Sequence, residues 1–228
     1  MGRIKELDGL RALAILMVVS WHYLGIGEGQ AALWRAFIFG RTGVDLFFVL
    51  SGYLITGILL ANRGASNYFV AFYARRSFRI MPIYFLTVAV YLVGRQFGGS
   101  ASALFGGPLP WWSYVLGIQN FWMAAQQTYG APWLAVTWSL AVEEQFYLIF
   151  PLVVYLVPIR TLPRVLMGLL ILCPIGRIVV CALGDRFAYY VLMPLRADCL
   201  AIGALVAWHN LLALSQTISV GSSEELSW

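Results

Sequence analysis

The chemistry of this chain is posed first by two residues of the apolar stretch Leu7–Tyr23 (LDGLRALAILMVVSWHY): Arg11 near one end and His22 near the other. At about 100° per residue, eleven residues bring a helix back to nearly the same face, roughly 16 Å further along its axis. A guanidinium and an imidazole would then share one stripe of a membrane helix, where ionisable groups are expensive to place. An anchor alone has little reason to accept that cost. The pair equally suits a helix whose Arg11 snorkels to the headgroups while His22 rests at the opposite interface.

Four more segments join polar groups to apolar surroundings. In Gly43–Ile55 (GVDLFFVLSGYLI), Asp45 stands where a span begins, and a carboxylate near an imidazole can orient it and raise its basicity. An N-cap serves Asp45 as well, and Gly52 reads best as a packing residue. In Tyr73–Pro82 (YARRSFRIMP), Arg75, Arg76 and Arg79 are three and four apart, so on a helix they form one cationic patch. Such a patch suits phosphates, and it equally suits anchoring on the cytoplasmic side. In Trp138–Tyr147 (WSLAVEEQFY), Ser139, Glu143 and Tyr147 recur every fourth residue as one polar stripe, while Glu144 points about 100° away to a different neighbour. A carboxylate this deep is paired or functional. In Leu195–Ala207 (LRADCLAIGALVA), Arg196 and Asp198 do not share a helical face, so each should pair with another element in a structural role.

These residues need a membrane frame. Of 228 residues, 61% are hydrophobic and 11% charged, with a mean hydropathy of +0.80. A soluble domain is far less apolar, so this is an integral membrane protein of all-α class. The net charge of +5 is spread over loops, which speaks for topology rather than nucleic-acid binding. Cys173, Cys181 and Cys199 show no metal-like spacing and read as buried free thiols. No metal site is expected. The leading MGRIKELDGLR mixes both charge signs and no small-residue cleavage site follows, so the first run reads as a retained span.

Six spans are expected: Leu10–Gly25, Val44–Leu60, Met81–Val93, Trp138–Val157, Val165–Leu183 and Tyr190–Trp208. Pro110–Met123 is a short seventh candidate, interfacial or re-entrant if it does not cross. Pro82 fits the opening turn of the third span. Arg3, Lys5 and Arg11, then Arg63, Arg75, Arg76 and Arg79, put the N-terminus in the cytoplasm and His22 toward the outer half. Residues 1–210 form the bundle. Residues 211–228 form a polar tail, and Ser215–Trp228 reads as disordered.

Taken in order, LDGLRALAILMVVSWHY, GVDLFFVLSGYLI, RRSFRIMP, WSLAVEEQFY and RADCLAIGALVA resemble the membrane acyltransferase-3 family, which includes O-antigen, exopolysaccharide and nodulation-factor acetylases. The resemblance covers about residues 4–208. The family's basic-residue, ten-residue gap, histidine signature falls on Arg11 and His22, its arginine-rich block on Arg75, Arg76 and Arg79, and its serine–glutamate block on Ser139 and Glu143. It implies a multi-pass protein of the inner cell membrane that moves an acyl group, most often acetyl, from coenzyme A to a hydroxyl of a cell-envelope carbohydrate. On this reading His22 is the general base, Arg11 steadies the donor, and Asp45 or Glu143 orients the imidazole. Arg75, Arg76 and Arg79 hold the coenzyme A phosphates, with Ser139 and Tyr147 beside the substrate. A covalent relay through Ser51, Ser139 or Tyr147 stays open. Members usually have more spans than this chain offers, so a shortened form is expected, and exposed polar groups would favour oligomers. Two other readings compete: a transporter of lipid-linked sugar or acyl groups, whose inverted repeats are not visible here, and an inactive remnant.

Overall fold

The computed structural model describes residues 5–24, 39–97, 102–185 and 187–224, and among them every regular element is helical. Apolar runs with few charges leave the backbone no outside partner, and a helix satisfies its own amides. The elements are α1 (Lys5–Leu24), a 3₁₀ turn leading into α2 (Thr42–Ala61), α3 (Tyr68–Gly94), α4 (Ser102–Phe105), α5 (Trp111–Val115), α6 (Gln119–Gln126), α7 (Thr137–Leu156), α8 (Leu162–Ala182), α9 (Ala188–Val191) and α10 (Ala197–Glu224). Four stretches are long and apolar enough to cross a membrane: Phe39–Ala61, Tyr68–Gly94, Thr137–Leu156 and Leu162–Ala182.

Two expected spans are redrawn, and the short seventh candidate is resolved. The third begins at Tyr68 rather than Met81, so Pro82 lies inside α3 and the arginine patch belongs to the long helix itself. Pro110–Met123 is no single span: Gly117, at φ +68°, separates α5 from α6. A left-handed residue ends a helix, and glycine adopts that conformation without cost. Tyr190–Trp208 is likewise broken, by a 3₁₀ turn at Met193–Leu195 between α9 and α10. Pro194 in that turn has no amide proton to continue the ladder. The helix α10 runs to Glu224, into the polar stretch read as a tail, while residues 225–228 lie outside the described residues. Cys181 is exposed, not buried, because α8 is covered along little of its length.

The chain forms two compact units. The first comprises Met1–Ala61, Pro163–Met167 and Cys199–Trp228. There α1 meets the start of α2 through small residues, Gly43 lying against Ala14, Met17 and Val18. The α2–α10 crossing is tighter. A Cβ on Gly52 would run into the Leu200 carbonyl, and one on Gly203 into the Val49 carbonyl and the Tyr53 amide. Glycine alone permits such backbone contact, as expected for Gly52.

The second unit comprises Asn62–Leu162 and Gly168–Asp198. Here α3 and α7 run antiparallel. Hydroxyls of Tyr68 and Tyr73 donate to the carbonyls of Pro151 and Leu148, at 3.1 and 2.8 Å, around the proline inside α7. Arg63 donates to the Tyr155 and Val157 carbonyls at 3.0 and 2.8 Å, so a residue that sequence reading used for orientation caps the end of α7. Arg177 of α8 grips Asp198 through two bonds of 3.0 and 2.6 Å and the Leu195 carbonyl at 2.8 Å. Arg196 lies 5.3 Å from the Tyr190 ring centroid. Both members of the Arg196–Asp198 block thus pair with other elements.

Candidate functional site

In the first unit α1 carries Arg11, half-buried, and His22, exposed. Ala14 is its most deeply buried described residue, at 0% exposure, because the contact with α2 is made by small groups there. The His22 ring lies apart from that contact among the described residues. Its Nδ1 donates to the Val18 carbonyl one turn back, at 2.9 Å. With that proton held, the neutral ring presents Nε2 as an acceptor, the form a general base requires. Arg41 lies 5.6 Å from the Trp21 ring centroid, bringing the start of α2 to the His22 end of α1. Asp45 is half-buried in the first turn of α2. Its neighbour from α10 is one that sequence reading missed: the Cys199 thiol, 3.7 Å from Oδ1.

In the second unit the arginine patch meets the polar stripe. Arg75 and Arg79 are exposed, while Arg76 is half-buried with its guanidinium 4.9 Å from the Tyr147 ring centroid. The Tyr147 hydroxyl donates to Glu143 Oε2 at 3.0 Å, both residues being buried. The spacing of four in sequence becomes a hydrogen bond in the helix. Ser139 donates to its own helix, to the Val136 carbonyl at 3.1 Å. Glu144 faces elsewhere, as its angle implied: it lines a cavity of about 270 Å³ with residues of α3, α5, α6 and α7.

Beside that cavity is a polar group with no counterpart in the sequence reading. Asn120 and Gln145 exchange amide bonds of 3.1 and 2.8 Å, and Asn120 also donates to the Val191 carbonyl while Gln145 donates to the Gly117 carbonyl. Adjacent Gln119 and Asn120 inside the aromatic PWWSYVLGIQNFWM were the available signal. Tyr114, fully buried, accepts from the Ala131 amide at 3.3 Å, and burial pushes its phenol up to about 12, so it stays neutral. Among the described residues, no cluster of His, Cys, Asp and Glu is arranged to hold a metal ion.

A family model described as an acyltransferase domain, that of the acyltransferase-3 family, matches residues 4–197. The chain is 35% identical over 182 residues to the peptidoglycan O-acetyltransferase OatA of Listeria monocytogenes, covering 74% of this chain and 27% of that protein. It is 36% identical over 187 residues to the putative peptidoglycan O-acetyltransferase YrhL of Bacillus subtilis, covering 75% and 27%. Against the O-acetyltransferase OatA of Staphylococcus aureus it is 31% identical over 221 residues, covering 90% and 34%. The chain therefore spans about a quarter to a third of the length of these curated relatives. No solved structure matches it.

Proposed function

Since the chain belongs to the acyltransferase-3 family, we propose that it is an O-acyltransferase of the cell membrane, moving an acyl group, acetyl foremost, from coenzyme A to a carbohydrate hydroxyl of the cell envelope. Relatives named for peptidoglycan O-acetylation make an amino-sugar polymer the first acceptor to try. The reading rests on the His22 ring, whose Nδ1–H is taken by Val18 and whose Nε2 is left to accept. In the proposed step Nε2 takes the acceptor hydroxyl's proton as the ester C–O bond forms and the thioester C–S bond breaks. It then returns that proton to the departing thiolate.

The other roles follow by unit. Asp45, at the same end of its unit as His22, biases the field around the ring, and Arg11 steadies negative charge on the donor. Arg75, Arg76 and Arg79 hold the coenzyme A phosphates, with Arg76 braced on the Tyr147 ring and Tyr147 braced by Glu143. Glu143 supports Tyr147 in this scheme. The test uses the full chain in lipid nanodiscs with labelled acetyl-coenzyme A and peptidoglycan fragments. His22→Ala is expected to lower ester formation by about 10²–10⁴-fold. Wild-type transfer by His22→Ala would falsify the mechanism.

A further inference from the structure

The end of α3 away from the arginine patch borders an open cavity. From Arg76 to Arg95 is nineteen residues, about 28 Å along one helix and close to the hydrocarbon thickness of a bilayer. Since α3 is long and apolar enough to cross a membrane, Arg95 stands at the face opposite the patch. The cavity there measures about 570 Å³ and is lined by Leu92, Arg95, Gln96 and Trp111. The amides of Arg95 and Gln96 continue the helical turn, donating to the Tyr91 and Val93 carbonyls, both at 3.0 Å. Arg95 and Gln96 follow Leu92 by three and four, so all three share one helix face. Trp111, the first residue of α5, supplies the other wall.

The walls are held by the protein, and the polar groups on them are open to a ligand. Tyr91 and Tyr114, both buried, pack with ring centroids 5.3 Å apart and tie the end of α3 to α5. The Ser113 amide and hydroxyl both donate to the Pro110 carbonyl, at 3.0 and 2.6 Å, which fixes the turn carrying Trp111. Arg95 and Gln96 are exposed, as is Trp111 at 49%. The Arg95 guanidinium lies 5.7 Å from the Tyr91 ring centroid. Among the described residues, neither it nor the Gln96 amide is engaged in a side-chain hydrogen bond.

These exposed groups select a class of ligand. An indole face accepts the apolar C–H face of a sugar ring. A primary amide offers a donor and an acceptor to neighbouring hydroxyls. The guanidinium fork matches a carboxylate, and no acidic side chain among the described lining residues repels one. At about 30 Å³ per water-sized atom the cavity takes roughly nineteen non-hydrogen atoms, against about twenty in an N-acetylated hexosamine with a three-carbon acid arm. A nucleotide polyphosphate would bring more charge than one arginine answers. An interfacial anchor, with Trp among the headgroups and Arg snorkelling beside it, needs no walled cavity.

We propose that this cavity is a subsite for the acceptor glycan, holding one carboxylate-bearing amino sugar of the strand with its ring on Trp111, its hydroxyls on Gln96 and its carboxylate on Arg95. The proposal rests on the carbohydrate-acceptor reading above and adds to it a place and a required charge. Two probes separate these: the N-acetylglucosamine tetramer, which is neutral, and the same tetramer with lactyl carboxylates on alternate sugars. Binding of each to the full chain in phosphatidylcholine nanodiscs is measured by calorimetry. Wild type is expected to bind the acidic tetramer about tenfold more tightly than the neutral one. Arg95→Gln should abolish that preference and leave the neutral tetramer unchanged, while Arg95→Lys keeps part of it. Trp111→Ala should weaken both about tenfold.

A second arm keeps Arg95 and Trp111 in place. Gln96→Cys is labelled with maleimide and read at that residue by mass spectrometry, and the acidic tetramer is expected to slow its labelling severalfold. If wild type binds both tetramers equally and Arg95→Gln changes neither, the proposal fails on charge. If Trp111→Ala and the labelling are unaffected while wild type still binds or acetylates the glycan, the subsite is overturned and the acceptor reading stands. If wild type binds neither tetramer and acetylates no peptidoglycan fragment, both fall together. An anionic phospholipid retained from the cells by wild type and lost from Arg95→Gln would make the cavity a headgroup site and also overturn the proposal.

Discussion

Arg177 and Asp198 join α8 to the start of α10 within one unit, and the pair offers a quantitative test of that packing. Arg177→Met keeps much of the apolar stem but removes both bonds to the carboxylate and the bond to the Leu195 carbonyl. Removing one partner of a buried pair costs about 3–5 kcal/mol because the other charge is stranded. The Arg177 side chain is 26% exposed and that of Asp198 11%, so solvent screens part of the effect and about 2–3 kcal/mol is expected. Asp198→Asn should cost a similar amount by stranding the guanidinium. The double variant strands neither charge and should cost less than the sum by about 2 kcal/mol. Tryptophan fluorescence during unfolding of all four proteins in the same mixed micelles gives the cycle directly. Additive single costs, or an Arg177→Met protein as stable as wild type, would refute the claim that these two groups hold the first turn of α10, at Asp198, to α8.

Two further outcomes follow from local geometry. Gly52→Ala and Gly203→Ala each place a methyl against backbone rather than against a yielding side chain, so each should lower stability by at least about 1–3 kcal/mol in thermal unfolding. A loss near zero in either would mean that α2 and α10 do not touch there. Asp185 accepts from the Ala188 and Phe187 amides, both at 2.9 Å, and from the Gln127 side chain at 2.7 Å, and these bonds hold its carboxyl below its ordinary value of 3.8. A depressed folded value stabilises above the unfolded pKa, and that contribution is lost as pH falls through the folded one. Melting temperature should therefore drop on acidification below about pH 3.8 more steeply in wild type than in Asp185→Asn. Parallel curves would remove Asp185 from that account.

Helical class, membrane character and the family were legible because they are carried by long-range composition and by ordered blocks. The polar stripe was legible for a local reason: residues four apart on a helix must be neighbours, and Glu143 and Tyr147 are bonded. The same arithmetic turned Glu144 to a different wall. Periodicity could not show where an apolar helix begins once charges are mixed in, so the arginines of α3 were set before the span rather than within it. Nor could it place Pro82, read as the opening turn of a span and carried instead inside a helix. The pairing of Gln119 with Thr137, and of Asn120 with Gln145, depends on contacts between separate helices. No spacing along one element encodes them. The Cys199 thiol beside Asp45, 154 residues away in sequence, was beyond reach for the same reason.

The glycine crossing of α2 and α10 has a bearing on that carboxylate. Seven residues separate Asp45 from Gly52, two turns along nearly the same line of α2, and Cys199 directly precedes the Leu200 against which Gly52 lies. Where main chain rests on main chain, there is no rotamer to hop and no methyl to slide. A sideways excursion of α10 at that point drags α2 along, and the acid and the thiol ride together. The steadiness of a charged group is thereby entrusted to residues with no side chain at all.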